Sequence, residues 1–367
     1  MVSICGYDWQ AYQYRSGVAM AFNETITQSP VILFLGAGAS VPLGKPTMEQ
    51  FVMKLQGEIV SEHQGSLLSL LVSARGRDLE AILGDLETFL SLHYVPSFIC
   101  EINGFPSFEA SREDAARLRS FIRHAIIREY RTVEPDQTIE VYQPLFDTIF
   151  AHLDPTTHCL PIFTTNYDLA IETFSKTQYS QYELEDGMDD DSLEREVYWN
   201  PWSFERFSIH HEARHIALFK LHGSVNWMRL TSSGKIVQAL PMYDIVDSDE
   251  YQNVIIYPAG NKVATAEPYL TGYKYFSKCC EYAKLILAVG YSFRDYDALA
   301  SLLRAREINE NVRLVLLSPS PYEVLKSIPD EDRMFWTHSI YGSFGDSNSQ
   351  SKYLADMDQW LATQLEK

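Results

Sequence analysis

The segment from Val31 to Ser40 sets the terms for the rest of the chain. Val31, Ile32, Leu33, Phe34 and Leu35 run without interruption into Gly36, Ala37, Gly38, Ala39 and Ser40. A continuous apolar run of this length is what a strand buried on both faces requires, and such strands belong to parallel sheets covered by helices. The abrupt change to small residues predicts a tight turn and then a helix. With few side chains in the way, a phosphate can approach the backbone, and a helix N-terminus offers N–H groups and positive dipole to it. The segment therefore predicts nucleotide binding near residue 40. It is not the common dinucleotide fingerprint. Val41 stands where a third glycine would fall, and Glu58, at the distance expected for a ribose-binding acid, sits in a helical pattern.

Further apolar runs end in the same way. Leu160–Thr164 leads into Thr165, Asn166, Tyr167 and Asp168. Ile216–Leu221 leads into His222, Gly223 and Ser224, and Leu285–Val289 into Gly290, Tyr291, Ser292 and Phe293. Another run, Val312–Leu317, ends at Ser318. Ligands of open α/β sheets bind beyond the carboxyl ends of the strands, so these ends predict one shared crevice. The expected fold is α/β, a Rossmann-like parallel doubly wound sheet with a helical insertion. Residues 1–46 would supply an N-terminal helix over 8–28, the first strand and the glycine loop. Residues 47–150 would form the insertion, because Phe51, Leu55 and Ile59, then Leu79, Ile82, Leu83 and Leu86, then Leu118, Ile122 and Ala125 recur at helical spacing. Residues 151–345 would complete the nucleotide-binding domain. Residues 346–367 would form a C-terminal helix with the stripe Tyr353, Leu354, Met357, Trp360 and Leu361.

Taken in order, Gly36-Ala37-Gly38-Ala39-Ser40, Thr165-Asn166-Tyr167-Asp168, Leu221-His222-Gly223-Ser224 and Gly290-Tyr291-Ser292-Phe293 resemble the NAD-site motifs of the sirtuin superfamily. They look most like those of the sirtuin-like NAD hydrolases of bacterial antiphage defence. The motifs span residues 31–320, and residues 50–150 add nothing specific. The resemblance implies that Gly36, Ala37, Gly38 and Ser40 cradle the pyrophosphate. Asn166 would position the water and the nicotinamide ribose, with Thr165 beside it, and Asp168 would hold the carboxamide. His222 would be the general base, and Gly290, Ser292 and Phe293 would line the adenosine side. NAD would be the substrate, with no metal. Cleavage of the nicotinamide–ribose bond passes through an oxocarbenium-like state, as glycoside cleavage does. Its leaving group is already cationic and needs no general acid, so a positioned water, an imidazole base and a dry pocket suffice.

The departures from the superfamily pattern narrow the expectation. Deacetylases of the superfamily carry two close cysteine pairs on zinc, whereas Cys5, Cys100, Cys159, Cys279 and Cys280 contain no Cys-x-x-Cys spacing. Gly44-Lys45-Pro46-Thr47-Met48 stands where deacetylases have Phe-Arg, and Thr165 replaces the Gln before the catalytic Asn. Water attack, giving ADP-ribose and nicotinamide, is therefore expected in place of protein deacylation. A catalytically silent nucleotide sensor and an ADP-ribosyl transferase or base-exchange enzyme are the alternatives. An always-active NAD hydrolase would kill its host, and the motifs leave no room for a sensor domain after residue 320. The resemblance thus implies a homo-oligomer and a trigger in trans, such as a HerA-like ATPase.

Composition excludes several other classes. The balance of 30 basic against 49 acidic residues gives −19, which disfavours nucleic acid and anionic lipid as direct partners. The apolar runs are strand-sized, the N-terminus lacks a signal core, and five cysteines without a pairing pattern fit a reducing cytoplasm. His211-Glu212-Ala213-Arg214-His215 has the spacing of a zinc-protease helix. The third ligand position falls on Leu221, with His222 one residue off, so the match reads as chance on a polar connection. The acidic run 183–196 is expected to be a solvated loop, and Asp78 to open a helix.

Overall fold

A seven-stranded sheet with every neighbouring pair parallel carries the fold. Its spatial order is β14 (Trp336–Tyr341), β13 (Arg313–Ser318), β12 (Leu285–Val289), β1 (Val31–Leu35), β4 (Leu160–Thr164), β8 (Arg214–Lys220) and β5 (Tyr182–Glu185). The computed structural model describes residues 22–91, 97–100, 108–154, 157–179, 181–191, 196–209, 213–239, 251–255, 267–293, 296–326, 328 and 336–365. The expected α/β architecture is present. Of the N-terminal helix expected over 8–28, residues 8–21 lie outside the described residues, and Glu24–Thr27 forms a single turn capped by Asn23.

Strand periodicity divides the sheet's side chains between two cores. Val31, Leu33, Leu35, Leu285, Leu287 and Val289 face the helices Pro135–Phe150, Ala170–Thr177 and Ser347–Leu365, whose Tyr142, Phe146, Phe174, Tyr353 and Met357 meet them. Ile32, Phe34, Ile286 and Ala288 face the other way, onto the helices Tyr269–Cys280 and Tyr296–Ile308. Each fully buried Leu, Ile or Phe contributes about 1.5–3 kcal/mol. The near-continuous apolar sequence of β1 follows from this two-sided burial.

A second, antiparallel sheet has the order β11 (Tyr251–Ile255), β9 (Gly223–Leu230), β10 (Ile236–Gln238), β7 (Glu196–Trp199) and β6 (Met188–Asp191). Val225, Met228, Val237 and Ile255 pack against Phe51, Leu55, Leu83, Leu118, Ile122 and Ile126. This one core joins the sheet to the helices Met48–Glu58, Glu62–Arg75, Leu79–Ser91 and Arg112–Arg131. A short hairpin, β2 (Ser97–Cys100) with β3 (Phe108–Ser111), precedes the last of these helices. The helix starts obey local rules: Thr47 with Gln50 and Ser111 with Asp114 form capping boxes. Asp78 Oδ1 accepts from the Ala81 N–H at 3.0 Å, as its position at a helix start predicts.

The acidic run departs from expectation. In place of a solvated loop, residues 183–185 pair with β8 at the edge of the large sheet and residues 188–191 pair with β7 at the edge of the small one; residues 192–195 lie outside the described residues. Edge strands tolerate the charges because alternate side chains reach water, as Glu183 does. Likewise His215 is not on a loop. It is buried within β8, with Nδ1 3.4 Å from Glu183 and its ring against Phe207, while His211 lies outside the described residues.

Under the sheet, Phe219 stacks on Phe163 at 4.9 Å, on Phe204 at 4.4 Å and on Tyr275 at 4.9 Å. Phe219→Ala should cost about 3–5 kcal/mol through the cavity it leaves. A lowered denaturant midpoint with an unchanged slope is the expected observation, and a loss below about 1 kcal/mol would contradict the stack's importance.

Candidate functional site

Because all seven strands run the same way, β1, β4, β8, β12 and β13 end on one rim. Chain order reverses between β1, followed spatially by β4 and β8, and β12, followed by β13 and β14, which makes this rim the topological switch point of the sheet. A cavity of about 410 Å³ opens there, walled by residues from the strand ends and from the helical block. A larger hollow of about 580 Å³ lies between β14 and the C-terminal helix, lined by Tyr341, Lys352, Asp356 and Trp360, and contains none of the residues at the ends of β1, β4, β8, β12 and β13.

The glycine loop forms a tight 3-10 turn over Ala37–Leu43, capped by Gly36. Backbone contact with the β12 turn holds it: the Gly36 N–H donates to Val289 O at 3.0 Å and the Gly38 N–H to Gly290 O at 2.8 Å. Gly290 sits at φ +61, and a Cβ there would lie 2.4 Å from Ala39 N; a Cβ on Gly38 would lie 2.8 Å from Gly290 Cα. Only glycine fits either position. Beyond the turn, Lys45 Nζ donates to Glu129 O at 2.7 Å and to Thr132 O, and Tyr130 Oη donates to Pro46 O at 3.0 Å. These bonds tie the loop's exit to the C-terminal end of the helix Arg112–Arg131, where a cation is favoured. Burial lowers the Lys45 pKa, against the opposing pull of Glu129.

The β4 turn docks on the glycine loop through a polar cluster. Asn166 Nδ2 donates to Gly36 O and to Ser40 Oγ, each at 2.9 Å, and Ser40 Oγ donates to Asp168 Oδ2 at 2.5 Å. Asp168 Oδ1 accepts from the Ala170 N–H at 3.0 Å, which starts the next helix. His222, at the end of β8, is 3 % exposed, and its ring lies 6.4 Å from that of Tyr167. Ala37, Gly38, Ser40, Thr165, Asn166, Asp168, His222, Gly290 and Ser292 thus share the cavity wall. Two residues of the expected set stand behind it: Gly36 is covered by the β12 turn, and Phe293 is turned into the core against Tyr291 at 4.8 Å.

Ser318, the expected end of the β13 run, also stands on the wall. Sequence reasoning missed the remaining residues: Thr47, Met48, Glu49, Asp78 and Tyr130 close the cavity from the helical block, and Pro319 and Val324 from beyond β13. Glu49, Asp78 and Tyr130 carry no local signal, because the helices that bring them are placed by packing. Among the described wall residues there are three carboxylates (Glu49, Asp78 and Asp168) and no lysine or arginine. No group of three or more His, Cys, Asp or Glu among the described residues could hold a metal ion, and no helix among them is long and apolar enough to cross a membrane.

A charged layer lies beneath the wall. Lys220, buried at the end of β8, pairs with buried Glu172 at 2.7 Å. Nearby, burial first and Glu172 second push the half-buried Asp186 carboxyl up to about 7.

Residues 161–339, just under half of the chain, match the family described as SIR2-like domain. No curated protein matches the chain. Among solved structures, one described as a Sir2 homologue mutant with 2′-O-acetyl ADP-ribose is 12% identical, covers 90% of this chain and 93% of its own, and has a TM-score of 0.45. A Sir2 homologue–NAD complex is 14% identical, with 92% and 93% covered and a TM-score of 0.45. Sir2Tm bound to a propionylated peptide is 13% identical, with 89% and 92% covered and a TM-score of 0.43.

An acid whose folded-state pKa lies above its unfolded value loses stability as pH rises between the two, here from the ordinary 3.8 to about 7. Asp186→Asn removes that loss. Since water still screens part of the group, the gain over the parent should be about 1 kcal/mol, or roughly 2 °C in Tm, at pH 8. At pH 4 it should vanish. Thermal melts at both pH values check this, and an equal effect at both would contradict it.

Proposed function

We propose that this chain is an NAD hydrolase that cleaves the nicotinamide–ribose bond to give ADP-ribose and nicotinamide. The observation that carries the reading is the convergence of Ser40, Asn166, Asp168 and His222 on one cavity wall, from three separate strand ends. The SIR2-like match over residues 161–339 supports it, since it covers the segments of Asn166, His222 and Gly290.

With no cationic side chain among the described wall residues, the diphosphate would lie against the side-chain-poor backbone of the glycine turn, whose Gly36, Gly38 and Ala39 N–H groups already donate to Val289 O, Gly290 O and Gly36 O. Both Asn166 Nδ2 protons are used by Gly36 and Ser40, so Oδ1 is the atom with which Asn166 would meet a ribose hydroxyl or the water. Asp168, fixed by Ser40 and the Ala170 N–H, would accept the carboxamide N–H. In the cleavage step the C1′–N bond breaks and its electron pair neutralises the pyridinium nitrogen, releasing nicotinamide. The wall's carboxylates, with Asp168 buried and Glu49 paired with Arg77 at its exposed edge, would favour a cationic transition state. Water then forms the new C1′–O bond, and its proton passes to the His222 imidazole and on to solvent.

We further read the activity as NAD depletion in antiphage defence, held silent until triggered. The motif resemblance supports this reading, including assembly as a homo-oligomer and a trigger in trans such as a HerA-like ATPase. Light scattering and co-purification test assembly; a monomer with full constitutive activity would exclude it.

The purified protein incubated with NAD should yield nicotinamide and ADP-ribose. Asn166→Ala should lower kcat by about 100-fold or more, and His222→Ala by about 100–10,000-fold, with Tm within a few degrees of the parent. Chromatography of products is the measurement. NAD bound but uncleaved would support a nucleotide sensor instead, and capture of the sugar by an added base or protein would support transfer.

A further inference from the structure

Directly beneath the cavity lies a buried lysine that the proposed chemistry does not use. Lys220 is 4 % exposed, and its Nζ donates to Glu172 Oε1 at 2.7 Å, to Ser224 Oγ at 2.9 Å and to the main-chain oxygen of Asp168, with Tyr167 O at 3.5 Å. These partners come from three neighbouring segments. Tyr167 and Asp168 follow β4 in the turn that bears Asn166, Glu172 lies in the helix Ala170–Thr177 that continues from that turn, and Ser224 stands at the start of β9, two residues past His222. Asp168 is therefore gripped twice, its carboxylate by Ser40 and its carbonyl by Lys220. The Val225 N–H adds a direct bond to Tyr167 O at 3.0 Å, and Ser224 Oγ donates onward to Asn226 Oδ1 at 2.7 Å.

Energetics argue that this lysine is not there for stability. A buried ion pair costs several kcal/mol of desolvation per ion, and a well-packed apolar pair of similar volume is often as stable or more so. Ile216 and Leu218, on the same face of β8 as Lys220, show that this face accepts apolar side chains. What an apolar side chain could not supply is three donors aimed at once at the turn after β4, at Glu172 and at the start of β9. We propose that Lys220, with Glu172 as its counter-ion, is the positioning residue of the site: it ties the turn bearing Asn166 and Asp168 to the turn bearing His222 and so sets the geometry in which these groups meet a substrate. Its kinetic consequence rests on the hydrolase reading; its structural consequence does not.

The test is Lys220→Met combined with Glu172→Gln, which removes both charges and leaves no uncompensated buried ion. Amide exchange at residues 165–169 and 222–225 should rise by about tenfold while β1, β4 and β8 keep parental protection. The kcat for NAD should fall about 100-fold with KM within about threefold, since displaced groups lose the transition state more than the ground state. Parental exchange in the two turns overturns the proposal, and so do loosened turns with parental kcat. If the double variant does not fold, Ser224→Ala removes one acceptor and should give the same two effects at about a third of the size on a logarithmic scale. If the parent itself cleaves no NAD, the hydrolase reading fails, and the exchange measurement alone decides whether Lys220 positions the turns.

Discussion

Two glycine turns pressed backbone to backbone form the constraint on which the site depends. The bond from the Gly38 N–H to Gly290 O lies at the switch point, where the chain leaves β1 in one direction and β12 in the other. No side chain fits between the turns, so their approach is set by the main chain alone. The glycine loop thereby acquires a defined shape before any ligand arrives, and Asn166 and Ser40 can hydrogen-bond to it as to a rigid element. Preorganisation of this kind is what a site of hydrogen-bond donors requires.

The cavity is a boundary between two packed bodies. One wall belongs to the parallel sheet. The other belongs to a core in which four helices and the antiparallel sheet bury one another's apolar faces. β9 continues directly from β8 through His222, so the histidine sits where one sheet hands the chain to the other. Tyr167 belongs to the core of the helical block although it follows a strand of the large sheet. Movement of the helical block relative to the sheet would therefore be felt at His222 and Asp168, and the Lys45 and Tyr130 bonds hold the loop's exit to that block.

Charge is distributed so that the acidic excess does not undermine the interior. The buried Lys220–Glu172 pair is matched, and burial together with the Glu172 charge pushes the Asp186 carboxyl up. The acidic run that looked like a solvent loop instead pairs at two sheet edges, where its charges can reach water.

Local sequence determined a great deal. Uninterrupted apolar runs announced strands buried on two faces, because only a parallel sheet with helices on both sides has no polar face to offer. Small and polar residues after those runs announced a crevice, since they stand where side chains must make room or make bonds. The α/β fold, the glycine turns and the meeting of Ser40, Asn166, Asp168 and His222 were legible for that reason. Only the tertiary structure decided the rest. The antiparallel sheet drew no strand signal, because β6 and β7 are short, β6 is acidic, and both gain their order from pairing. Gly36 and Phe293 read as wall residues and stand behind it, because the direction of a side chain depends on the neighbouring turn. Glu49, Asp78 and Tyr130 reach the cavity from helices whose placement is set by a distant core. Lys220 looked like one polar residue in an apolar strand; its partners lie in a turn, a helix and a neighbouring strand that only the folded sheet brings within reach of one ammonium group.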